Sequence, residues 1–64
     1  MNNFKTLAIA LLDDENGISE DAYQALRDLG KELQLKNWIV QLSQQVKAQD
    51  GRFYLPEDHT MTNE

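Results

Sequence analysis

Two apolar stripes in the middle of the chain run out of phase, and that mismatch narrows the folds open to it. Ala22, Leu26, Leu29 and Leu33 recur at three- and four-residue steps, as do Leu35, Trp38, Ile39, Leu42 and Val46. Each set is one face of an α-helix. At about 100° per residue, the two sets fall on nearly opposite sides of a single continuous helix. Such a helix would need an apolar partner on each side and so implies an oligomer. A break between Leu33 and Asn37 instead turns both faces toward one core. We therefore expect one helix over residues 20–34 and another over 37–49.

The flanking signals agree with this division. Ser19 is a helix cap, Glu20 and Asp21 fill the positive first turn, and Ile18 precedes the cap where it can staple against Tyr23. Asp50-Gly51 reads as the stop of the last helix, with Gly51 left-handed and Lys47 at the negative end. Upstream, a further helix is expected over residues 3–13, with an asparagine cap. Phe4, Leu7, Ala8 and Leu11 form its stripe. Ile9 and Leu12 fall off that stripe, so the helix is apolar nearly all round and suits a surface shared between two subunits. Asp13-Asp14-Glu15-Asn16-Gly17 ends it as a solvated turn.

Downstream, Phe53-Tyr54-Leu55 precedes Pro56 as a short extended segment with no evident second strand. It closes the core or docks a partner. The expected fold class is all-α: a small three-helix bundle over residues 1–56 with a short extended C-terminal segment, then a flexible tail over 57–64.

Size sets the energetic problem. A chain of 64 residues buries only about 60% of the surface its unfolded form exposes, so a single core is marginal. With no cysteine, neither disulfides nor thiolate zinc sites can help. Helix packing and self-association remain. The absence of cysteine fits a reducing compartment. The apolar run Leu7–Leu12 is too short for a signal core or a membrane span, and a cytoplasmic location is expected.

The net charge of −5 repels nucleic acid and anionic membranes at long range, but the charge is unevenly placed. Residues 13–32 carry Asp13, Asp14, Glu15, Glu20, Asp21, Asp28 and Glu32 against Arg27 and Lys31. Residues 33–49 carry Lys36 and Lys47 and no acid.

No pattern for chemistry emerges. His59, the single histidine, lies in the expected tail without a group to hold it. The acids around Gly17 miss calcium-loop spacing, since Leu12 and Tyr23 would occupy its first and last positions. There is no glycine-rich phosphate loop. Neither catalysis, nor a cofactor, nor a metal is expected.

Leu29 to Val40 does resemble the helix-turn-helix family. In that pattern leucine and a small residue precede a charged pair, a leucine, a glycine turn, an apolar residue and a polar cap. In this chain these are Leu29-Gly30, Lys31-Glu32, Leu33, Gln34 in place of the turn glycine, Leu35 and Asn37. The resemblance implies that Gly30 is a packing residue and that Val40 is the first buried residue of a recognition helix. Ser43 would then take the next buried position, with Lys36, Asn37, Trp38, Gln41, Gln44 and Gln45 facing the DNA groove. The apolar stripe buries Ile39, Leu42 and Val46 instead, and the two registers exclude each other.

Three functional readings follow. The leading one is a small non-enzymatic interaction or regulatory protein, a homodimeric helical module of the kind common among bacterial and phage accessory proteins. Its contact residues would be Trp38, Ile39, Leu42, Phe53 and Tyr54, with Ile9 and Leu12 for self-association. The second is a helix-turn-helix DNA-binding regulator using Lys36, Asn37, Gln41, Gln44 and Gln45. The third is an acidic mimic of nucleic acid built on the acids of residues 13–32.

Overall fold

A computed structural model describes residues 3–62. The chain runs α1 (Asn3–Leu12), β1 (Ile18–Ser19), α2 (Glu20–Glu32), α3 (Lys36–Gln45), β2 (Lys47–Gln49) and β3 (Arg52–Tyr54). The strands form one antiparallel sheet in the order β1-β3-β2. The fold is thus mixed α/β, and the expected all-α bundle is wrong.

The error lies in Asp50-Gly51. Asp50 has φ 54° and Gly51 φ 77°, the paired left-handed conformation of a tight two-residue hairpin turn, for which Asp-Gly is a preferred sequence. Lys47 pairs with Tyr54, Ala48 with Phe53 and Gln49 with Arg52 across it. The last helix accordingly stops at Gln45, short of residue 49. The aromatic segment has two partner strands: Ile18 and Ser19 pair with Phe53 and Arg52 on the other side. At Gly17, left-handed at φ +62°, an added Cβ would overlap the Phe53 carbonyl oxygen, so only glycine lets the backbone pass this close to β3.

The expected helix break is present. The Leu35 amide donates to Gly30 O at 2.9 Å and the Gln34 amide to Lys31 O at 3.0 Å, the two bonds of a Schellman stop. Gln34 takes the left-handed position at φ 62°, where the helix-turn-helix pattern has glycine. Ser19 caps α2 as expected, accepting from the Ala22 amide at 3.2 Å. The asparagine cap expected for α1 involves Asn2, which lies outside the described residues.

Both helices turn to one core of Ala8, Leu12, Tyr23, Leu26, Trp38, Ile39, Leu42, Leu55 and Met61. On α3 the apolar stripe wins over the helix-turn-helix register: Ile39 and Leu42 are fully buried while Val40 is 49% exposed. On α2 the buried face is Tyr23, Leu26 and Gly30, rotated from the expected stripe, so Leu29 and Leu33 face outward. The sheet explains the rotation, because Tyr23 stacks on Phe53 of β3 with ring centroids 4.7 Å apart.

Residues 57–62 do not behave as the loose tail expected there. Met61 is buried, Trp38 Nε1 donates to Thr62 O at 3.0 Å, and the Thr60 amide donates to Gln45 Oε1 at 2.7 Å. Residues 63 and 64 of that expected tail lie outside the described residues.

Candidate nucleic-acid interface

The burial of α3 on one side fixes what it offers on the other. Lys36, Asn37, Val40, Gln41 and Gln44 are all exposed. At about 100° per residue they gather opposite Trp38, Ile39 and Leu42. No acid stands in the first turn of α3, and no side chain caps its N-terminus, leaving the positive end of the helix dipole unopposed. The β2–β3 hairpin follows directly, with Lys47 exposed at its start. Two helices joined by a tight turn, the second free of acids, thus lead directly into the β2–β3 hairpin.

The cations are divided between structure and surface. Arg52 donates through Nε to Asn16 O and through Nη2 to Gly17 O, both at 3.0 Å, and ties the hairpin to the turn after α1. The Arg27 guanidinium lies 5.8 Å from the Tyr23 ring, and Lys5 Nζ lies 5.8 Å from the Trp38 ring. Lys31 in the last turn of α2, Lys36 at the start of α3 and Lys47 at the start of β2 are exposed.

The five residues expected to face DNA separate into two groups. Lys36, Asn37, Gln41 and Gln44 share the open face, whereas Gln45 is half-buried and holds the Thr60 amide. Trp38, which the family pattern places in the groove, is 8% exposed and belongs to the core, with Phe4 edge-on at a centroid distance of 6.1 Å.

Four of the seven residues expected at a protein interface lie inside the molecule and three are partly buried. Leu12, Trp38, Ile39 and Leu42 are buried, and Ile9 and Phe53 are partly buried against them. Tyr54 is half-buried at the edge of an open hollow of about 690 Å³ shared with Glu15, Asn16, Gln49, Asp50 and Arg52. Periodicity identifies these residues as apolar faces. It does not tell a face turned to the core from one turned to a partner. Sequence reasoning misses Val40 and the leucines Leu7, Leu11, Leu29 and Leu33 as surface. Their signal is present in the conflict between registers, which only the sheet resolves.

His59 is held in place: its Nδ1 accepts from the Met61 amide at 3.1 Å, and its Nε2 lies 3.7 Å from Asp13 Oδ1. Among the described residues no group of three potential ligands is arranged for a metal, and no helix is long and apolar enough to cross a membrane.

No family model, curated protein or solved structure matches the chain.

Proposed function

We propose that the protein is a non-enzymatic regulator that binds duplex DNA by laying the outer face of α3 in the major groove. The observation that carries the reading is the composition of that face. Lys36, Asn37, Gln41 and Gln44 form an acid-free polar strip on a chain with net charge −5. Asparagine and glutamine can pair bidentately with adenine, and an exposed valine, here Val40, can contact a thymine methyl. Lys36 and Lys47, the latter at the start of the hairpin, contact phosphate. This is a fold-level analogy made specific by named side chains.

The charge predicts how binding behaves. With two lysines on phosphate, log affinity should fall with log salt at a slope of about −2 per copy, shallower than for strongly basic DNA binders. The test is anisotropy of a labelled duplex at low salt. Wild type should bind, Lys36→Glu should weaken binding at least about tenfold, and Gln41→Ala with Gln44→Ala should reduce preference among duplex sequences. Absence of binding at low salt, or indifference to all three substitutions, contradicts the proposal.

The sequence-level preference for a protein-interaction role retains one observation in its favour, the leucines that α1 and α2 turn outward.

A further inference from the structure

An apolar trough of about 330 Å³ runs between α1 and α2, and every residue lining it is apolar. Ala8 and Leu26 are buried beneath it, while Leu7, Leu11 and Leu29 stand along it at 59%, 46% and 51% exposed. The charge around it is one-sided. At about 100° per residue, Asp21, Asp28 and Glu32 fall beside Ala25, on the side of α2 away from Leu26. All three are exposed. No base falls among them, since Lys31 lies further round the helix and Arg27 sits at the Tyr23 ring. The opposite bank, on α1, exposes Asn3, Thr6 and Ala10 and is neutral. We infer that the trough receives an amphipathic helix of another protein, one with lysines or arginines along a single flank of its apolar stripe.

Charge complementarity identifies the occupant. An apolar groove takes the apolar stripe of a helix, read as anchors at i, i+3 or i+4, and i+7. The acid row from Asp21 to Glu32 runs about 16 Å along α2 at the helical rise, which matches three turns of such a helix. With the stripe seated between the leucines of the two banks, one flank of the guest lies over the acids and the other over Asn3, Thr6 and Ala10. Bases on the first flank are attracted and acids there are repelled, so charge sets both the partner and its orientation. A second copy of this chain does not supply that flank. Its exposed lysines, Lys31, Lys36 and Lys47, stand on three different elements, and the one base of α1, Lys5, lies at the Trp38 ring. An anionic membrane surface is repelled by the same acids. The inference does not rest on DNA binding, because it uses no residue of α3.

The probe is a labelled helical peptide of roughly 18 residues, with leucines at i, i+4, i+7 and i+11 and lysines along one flank. Its twin carries glutamates in place of the lysines. In fluorescence anisotropy with the full chain, the lysine peptide should bind at least about tenfold more tightly than the twin and weaken as salt rises. Leu7→Ser with Leu29→Ser, at positions about half exposed, should stay folded by circular dichroism and weaken binding about tenfold or more. Asp28→Asn with Glu32→Gln, which touches no packed residue, should remove most of the preference for the lysine peptide. Val40→Ser, on α3, should change neither. Failure of both peptides to bind, equal affinity for the two, or indifference to both trough variants overturns the proposal. So does a wild-type dimer in sedimentation velocity that Leu7→Ser with Leu29→Ser dissolves, because a second copy would then hold the trough. No duplex enters these measurements, so failure of DNA binding leaves their result standing, and the reverse.

Discussion

Gly30 shows how closely single atoms decide this fold. It sits where α2 crosses α3, and a Cβ there would overlap the side chain of Ile39 and meet Phe4 Cε2 at 3.3 Å. Alanine is the better helix former by about 1 kcal/mol, so propensity alone predicts that Gly30→Ala stabilises. Overpacking reverses the sign, and we expect a loss of about 1–3 kcal/mol in chemical denaturation. A gain would mean that the two helices lie further apart. Gly51 differs: at φ +77° an added Cβ meets nothing within 4 Å, so Gly51→Ala should cost only the backbone term, about 1–2 kcal/mol. Trp38 is legible in the sequence as the centre of a stripe, but its indole hydrogen bond to Thr62 O is not, because no local pattern links residues so far apart. Its fluorescence should be blue-shifted and insensitive to DNA. Red-shifted emission that DNA quenches would place the indole on the surface.

At the level of elements, the three helices and the break after Leu33 are legible, because each stripe has enough residues to declare a period. The strands are not. Strands of two and three residues are too short to show alternation, and Val46-Lys47-Ala48-Gln49 continues a helix as plausibly as it starts a hairpin. Asp50-Gly51 carries both meanings, and the choice rests on whether Phe53 finds partners at Ala48 and Ile18. The C-terminal segment misleads for a related reason: its composition is polar, and one buried methionine anchors it. Met61→Ala should cost about 2–5 kcal/mol, a large share of the stability of a small domain. Truncation after Pro56 should lower the melting temperature at least as much. A truncated protein that melts with the wild type would show that residues 57–62 contribute nothing to the core.

For the molecule as a whole, the division of charge matters more than its total. The acids stand on the turn after α1, on α2, at Asp50 in the hairpin turn and on the C-terminal stretch, and none falls between Leu33 and Gln49. The exposure of Lys36, Asn37, Gln41 and Gln44, four of the five residues proposed to face DNA, is legible, because a buried stripe on a helix fixes the opposite face. Gln45 is lost to the packed C-terminal segment. The outward turn of Leu7 and Leu11 is legible only as an excess of apolar residues on α1, since which of its sides faces inward depends on β3 and α3. The central claim is that the outer face of α3 meets duplex DNA. It is tested most directly by titrating isotopically labelled protein with a short duplex at low salt and following its backbone amide resonances. We predict that shifts concentrate on Lys36, Asn37, Val40, Gln41, Gln44 and Lys47, while the amides of Leu7, Leu11 and Leu29 stay in place. Unchanged spectra, or shifts confined to α1 and α2, would contradict it.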